Sequence, residues 1–297
     1  MSSAFQNAVG GSRRLNTGYY IPLVGFGTYK VTGDVLLPAI DAALTAGYRM
    51  FDTAKYYKNE EELGAAFKTL LPKHGLTRAD IFITSKVHPS DGDSVARTRA
   101  YVEESLAQLQ TDYIDMYLVH YPKPDNRENE DPENPTFRRL TYETLEVLKA
   151  EGKIRSVGVS NYEIRHLEEM TAYQKAVPCA NQVEYHPHFA RIPLKTYCDK
   201  HDIFFQAFSS LARHEPKLIE DPHVVQIAAK HNTSVPLVLL AWALNQGVGI
   251  VPKSNTPSRV IDNFSVIKIK LTEAEVAEIT ALDKNQNYIR TVGWLVV

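Results

Sequence analysis

The strongest constraint on this chain is a repeat of pattern rather than of letters. Short apolar runs rich in β-branched and aromatic residues alternate with longer segments whose apolar residues fall at helical spacing. Eight runs read as strands: LVGFG (23–27), YRMFD (48–52), IFITSK (81–86), YIDMYLVH (113–120), IRSVGVS (154–160), CANQVE (179–184), IFFQAFS (203–209) and VGIVPKS (248–254). Helices are expected over 34–46, 59–71, 93–109, 137–150, 163–172, 192–200, within 222–245, and over 257–263. Strict alternation favours a parallel sheet, because parallel neighbours need a crossover long enough to hold a helix. Eight units can close that sheet. The expected fold is therefore α/β, a (β/α)8 TIM barrel, as a single domain spanning 1–297.

A doubly wound open sheet is the competitor. Its GxGxxG turn is missing, since GFGTYK (25–30) follows the first strand without a third glycine. Two additions precede and interrupt the repeat. RLNTGYYIPL (14–23) has a turn-prone Asn-Thr-Gly centre and predicts an N-terminal β-hairpin, while PKPDNRENEDPENP (122–135) is too polar for core and predicts a long loop. A third, LTEAEVAEITALDK (271–284), predicts an extra helix with a Thr272/Glu275 capping box. The helix from 59 carries a similar signal, Asn59 with Glu62 three residues on.

Composition narrows the function. Basic and acidic side chains number 33 and 35, so no net positive field attracts a phosphate backbone, and nucleic acid is not an expected partner. Two cysteines without Cys-x-x-Cys spacing suggest neither a disulfide framework nor a zinc knuckle and suit a reducing cytoplasm. No apolar run of about 18 residues is present, so no membrane span is expected, nor does MSSAFQNAVGGSRRL hold a signal-peptide core. No heptad pattern suggests assembly, and a monomer is expected.

Active sites of such barrels sit at the C-terminal ends of the strands, so polar residues there carry the functional reading. Asp52, Lys86 and His120 end the second, third and fourth runs; Ser160 and Asn161 follow the fifth; Gln182 lies in the sixth; Lys253 and Ser254 end the eighth. Taken singly, each has an ordinary structural explanation, a cap, a solvated cation or a hydrogen-bonded histidine. Together an Asp, a Tyr, a Lys and a His around one mouth form a proton-transfer set with no evident nucleophile. An ammonium can pull a tyrosine hydroxyl toward acidity, a carboxylate can orient that ammonium, and a histidine can donate to an oxygen gaining charge. Such a set suits carbonyl reduction. His186 and His188, flanking Pro187, match no metal-ligand spacing, and no metal is expected.

GYRMFDTAKYYKNEEELG (47–64), the Lys of ITSK (83–86), LVHYP (118–122), VGVSN (157–161), NQVEYHP (181–187) and PKSNTPSR (252–259) resemble the aldo-keto reductases in order and spacing, over nearly the whole chain. The resemblance implies a barrel that binds NADPH without a Rossmann turn. By position it matches Asp52, Tyr57, Lys86 and His120 to the family's catalytic tetrad, with Tyr57 as acid and Tyr56 as pocket wall. Ser160, Asn161 and Gln182 would hold the nicotinamide carboxamide, and Phe208 falls where a tyrosine commonly stacks on that ring. Gly27, Thr28, Tyr29 and Asp52 from the first two strand ends are implied cofactor contacts, as is the backbone of Ser209, Ser210 and Leu211 near the pyrophosphate. Lys253, Ser254, Asn255 and Arg259 look like the clamp for an adenosine 2′-phosphate, which suits charge-assisted bonds at a helix start. Asp262 and Asn263 match the pair that meets the adenine.

The positions lining the family's substrate pocket carry Tyr29, Tyr56, His88 and Tyr121, with Trp294 near a short C-terminal lid. Tyr29 and Tyr121 replace common tryptophans and add hydroxyl groups, so small polar carbonyls or sugars are expected over bulky apolar ones. The reading is an NADPH-dependent aldehyde or ketone reductase with a small-molecule substrate. Its rival is a regulatory or structural cofactor-binding protein on the same fold, and an isomerase using Lys86 comes third.

Overall fold

Strand order in the sheet follows chain order. The computed structural model describes residues 4–289 and 293–297, so 1–3 and 290–292 of the expected domain lie outside the described residues. An antiparallel hairpin joins β1 (Ser12–Arg14) to β2 (Tyr20–Pro22). Eight parallel strands follow: β3 (Phe26–Gly27), β4 (Met50–Asp52), β5 (Phe82–Val87), β6 (Ile114–Val119), β7 (Ile154–Ser160), β8 (Ala180–Glu184), β9 (Phe204–Phe208) and β10 (Gly249–Ile250). The first and last meet. Val24 bridges Ile250, with Gly25 N donating to Ile250 O at 2.8 Å and Gly27 N to Pro252 O at 3.0 Å. A Cβ on Gly27 would stand 2.6 Å from Val251 O, so glycine is what lets the seam close beside the cleft.

Inside, Met50, Phe82, Met116, Leu118, Ala180 and Phe204 form an apolar plug that Leu15 and Ile21 of the hairpin segment cover. The larger core lies between strands and helices, as expected where helices pack on a parallel sheet. Buried polar residues also occur within the strands, Asp115, Ser156 and Gln206 among them, but Asp52, Lys86, Ser160 and Gln182 gather at or near the C-terminal ends.

All eight expected strands form, most of them shorter than their runs, and the first and eighth keep two residues each. Pro252 has no N–H to extend the ladder, so Lys253 and Ser254 leave the sheet and stand at the rim. The 222–245 region divides into Pro222–Lys230 and Val235–Leu244, broken where Asn232 takes φ 48°. The fourth helix starts early, at Asn134, with Pro135 in its first turn, and so shortens the polar loop. The Thr272/Glu275 box forms at the head of Glu273–Thr280.

The Asn59/Glu62 box does not form. Asn59 is fully buried and makes no cap to the Glu60–Lys73 helix. Its Oδ1 accepts from Thr53 Oγ1 at 2.8 Å, and its Nδ2 donates to Thr28 O at 2.9 Å and Val31 O at 3.1 Å. Glu62 instead accepts from Gly33 N at 2.6 Å. A residue read as a local cap therefore ties together the turns that follow β3 and β4. Cys179 and Cys198 are buried free thiols, and among the described residues no helix is long and apolar enough to cross a membrane.

Candidate active site

β4 and β5 lie side by side, with Asp52 in register with Thr84, and their C-terminal ends bring two opposite charges together. Lys86 Nζ lies 2.6 Å from Asp52 Oδ1 and donates to Thr53 O at 2.8 Å; Lys86 is fully buried and Asp52 nearly so. Gln182 Nε2 reaches across the barrel to Asp52 Oδ2 at 2.7 Å. Burial lowers the Lys86 pKa, and the Asp52 carboxylate opposes that shift.

A tight turn, Lys55–Tyr57, follows β4 and turns the two tyrosines different ways. Tyr56 is 57% exposed, its ring stacked on His88 at 5.4 Å. Tyr57 points inward: Lys86 Nζ stands 5.1 Å from its ring centroid, and the ring meets that of His120 edge to face at 5.8 Å. The expected pull of Lys86 on the phenol is not the dominant effect. Burial, then the Asp52 charge and Tyr29, hold the Tyr57 pKa well above 10, so the hydroxyl keeps its proton. Burial also drives His120 well below its ordinary value, with His88 and Lys86 adding to the shift, so the imidazole is neutral. Its Nδ1 is buried without a partner among the described residues, which leaves Nε2 as the nitrogen for the cleft.

Asp52, Tyr57 and His120 line a cleft of about 440 Å³, while Lys86 lies behind them, fully buried and off its wall. Its walls include Gly27, Tyr29, Asp52, Ser160, Asn161, Gln182, Phe208, Ser209, Ser210, Leu211 and Lys253, and on the other side Tyr56, Tyr57, His88, His120 and Tyr121. Three of the polar wall residues are already partly committed. Ser160 Oγ donates to Gln182 O at 2.7 Å, Asn161 Nδ2 to His120 O at 2.9 Å, and Gln182 Nε2 spends its second hydrogen on Gln206 Oε1 at 2.8 Å. What remains toward the cleft is a pair of acceptors, Asn161 Oδ1 and Gln182 Oε1. Ser210 Oγ is buried without a partner among the described residues.

Two expected contacts lie elsewhere. Thr28 is fully buried, its hydroxyl donating to Asp52 O at 2.9 Å, so it supports the site from beneath. Trp294 does not line the cleft; it packs on Phe189 at 5.3 Å, with Arg191 over its ring. Ser254, Asn255, Arg259, Asp262 and Asn263 stand outside the cleft, on the segment that leads into and forms the Pro257–Phe264 helix. Sequence reading missed Asp125, Arg213, His214 and Ile289, all on the cleft wall. Asp125 had a signal, since it belongs to the polar loop. Arg213 and His214 had none, because nothing local in the sequence marks the consecutive left-handed residues, φ 53° and 60°, that carry them there. Among the described residues no group of three or more His, Cys, Asp or Glu could hold a metal ion.

A closed eight-stranded barrel with a buried ion pair, a neutral histidine and a protonated tyrosine at its C-terminal mouth belongs to the class of α/β-barrel proteins equipped for proton transfer. The aldo/keto reductase family profile matches residues 23–284, and the chain belongs to that family. It is 38% identical to the glyoxal reductase of Bacillus subtilis (strain 168) over 274 residues, covering 92% of this chain and 93% of that one. Aldose reductase B of Dictyostelium discoideum is 33% identical over 285 residues, 90% of each chain. Among solved structures, an aldo/keto reductase from Brucella melitensis superposes with a TM-score of 0.82 at 37% identity, covering 92% of this chain and 99% of that one. The aldose reductase of Schistosoma japonicum gives a TM-score of 0.85 at 31% identity, covering 93% of each. Family membership makes this protein an oxidoreductase of carbonyl compounds.

Proposed function

We propose that this chain is a single-domain, monomeric reductase that uses NADPH to reduce aldehydes or ketones to alcohols. The carrying observation is the convergence of Tyr57, His120 and Asp52 on one cleft, with Lys86 paired to Asp52 behind its wall. When bound, NADPH supplies the hydride that the carbonyl carbon receives. Tyr57 gives its proton to the carbonyl oxygen. His120, neutral, donates a hydrogen bond from Nε2 to the same oxygen, and Lys86, fixed by Asp52 and Thr53 O, stabilises the phenolate left behind. A phenol that keeps its proton until hydride arrives avoids an idle anion in a buried site.

The donor set suits the cofactor. The open acceptors of Asn161 and Gln182 match the two hydrogens of a carboxamide, with Ser160 beside them. Phe208 offers an aromatic face where a ring could lie. Gly27, Tyr29, Ser209, Leu211 and the unpartnered Ser210 hydroxyl would receive the middle of the molecule. Lys253, Ser254, Asn255 and Arg259 would take the 2′-phosphate, with Asp262 and Asn263 at the adenine. A reducing cytoplasm suits the two free thiols.

The test is NADPH oxidation against aldehydes, ketones, quinones and sugars, with Tyr57→Phe alongside. The variant should keep NADPH binding by fluorescence titration and lose turnover by about 10²–10⁴-fold. Equal turnover would sink the assignment, and binding without turnover on the whole panel would favour the non-catalytic reading.

A further inference from the structure

One carboxylate on the cleft has no part in the chemistry above. Asp125 lies on the loop after β6, its side chain 58% exposed, and shares the wall with His88, His120 and Tyr121. Its Oδ1 binds His88 Nδ1, while its Oδ2 has no hydrogen-bond partner among the described residues. The loop's own cations are engaged elsewhere. Lys123 Nζ donates to Pro124 O at 3.1 Å and to Arg127 O, and Arg127 pairs with Asp131 and Glu133 at 3.0 Å each. The carboxylate thereby orients the His88 ring through Nδ1 and leaves Nε2 as its remaining polar atom. That ring is 4.4 Å from the His120 ring and stacked on Tyr56, so it stands beside the reacting centre.

We propose that the His88–Asp125 pair is a charge filter on the substrate side of the cleft, admitting neutral hydroxylated carbonyl compounds and rejecting those that carry a carboxylate. The proposal rests on the reductase reading and names the substrate class of that same site. A substrate hydroxyl has a hydrogen to give to Nε2 or to the open carboxylate oxygen. A substrate carboxylate has none and meets a like charge at the cleft wall.

The experiment measures kcat/KM with NADPH for glyceraldehyde, butanal and succinic semialdehyde in wild type, Asp125→Asn and Asp125→Glu. Wild type should favour glyceraldehyde over succinic semialdehyde. In Asp125→Asn the ratio should shift about tenfold toward succinic semialdehyde, mainly through KM, because the side-chain shape remains and the charge is gone. Asp125→Glu should restore discrimination, and added salt should weaken it in wild type but not in Asp125→Asn. A ratio unchanged within about twofold, or an equal loss on both substrates, would show a mere loop tie and overturn the proposal alone. No turnover of any of the three by wild type would overturn the reductase reading as well.

Discussion

Lys86 Nζ sits 2.6 Å from Asp52 Oδ1, and neither side chain has the solvent that would ordinarily carry its charge. Each depends on the other. Lys86→Met should therefore lower stability by about 3–5 kcal/mol, because it leaves the Asp52 carboxylate buried without its cation. Adding Asp52→Asn should recover part of that loss. Urea denaturation of the two single variants and the double variant measures the coupling, expected to exceed about 1 kcal/mol. Simple additivity would mean that the pair is not coupled in the folded state.

Asn59 offers a second test, one step behind the ion pair. Its three hydrogen bonds hold Thr53 Oγ1, Thr28 O and Val31 O, and Thr53 O in turn holds Lys86 Nζ. Asn59→Ala leaves Thr53 Oγ1 and Val31 O unpaired, while Thr28 O keeps the Val31 N–H, and should cost about 3 kcal/mol. Asn59→Asp keeps the acceptor but lacks both donors, so it should not rescue. Turnover should fall in both variants because Lys86 loses a fixed carbonyl; a helix-cap role would predict a cost nearer about 1 kcal/mol with turnover intact.

Barrel and strand-end residues were legible because period-2 apolar runs and their polar ends are local properties of the chain. The role of Asn59 was not. Asn followed by Glu62 has the spacing of a cap, yet its partners Thr28 and Val31 are about 30 positions away and come close only when the sheet is assembled. Tyr57 was separable from Tyr56 by resemblance, but its high pKa comes from burial that spacing does not encode. The His88–Asp125 contact joins two loops and has no local signature at all. Sequence patterns report what neighbours in the chain do; the site's second layer is made of residues that are neighbours only in space.

Glu275 sets an acid-side prediction. Its carboxyl is pulled down to about 2, first by Lys230, then by Thr272 N–H, His231 and the Thr272 hydroxyl. Because the folded value lies below the ordinary 4.5, the unfolded chain takes up the proton first. The stabilisation is complete above the ordinary carboxylate range and is lost as pH falls toward about 2. Glu275→Gln should lower the urea midpoint at about pH 7 and flatten its fall between about pH 4.5 and about pH 2. Parallel curves for wild type and variant would contradict this.

Lys253 and Arg259 bear on which cofactor is preferred. Both are exposed, and neither has an ion-pair partner among the described residues, at the head of the Pro257–Phe264 helix. The Lys253 ammonium is disfavoured first by the desolvation of its inner part and then by the charge of Lys30, so two positive charges stand close without an acidic partner for Lys253 among the described residues. A phosphate dianion would relieve that repulsion, and a ribose hydroxyl would not. Arg259→Ala should therefore raise KM for NADPH about 10–100-fold, leave KM for NADH within about twofold, and reduce the salt sensitivity of NADPH binding. Steady-state kinetics with both cofactors at two salt concentrations measures all three. Equal losses for NADPH and NADH would mean that these cations meet a part common to both molecules, and the assignment of the 2′-phosphate to this helix start would fail.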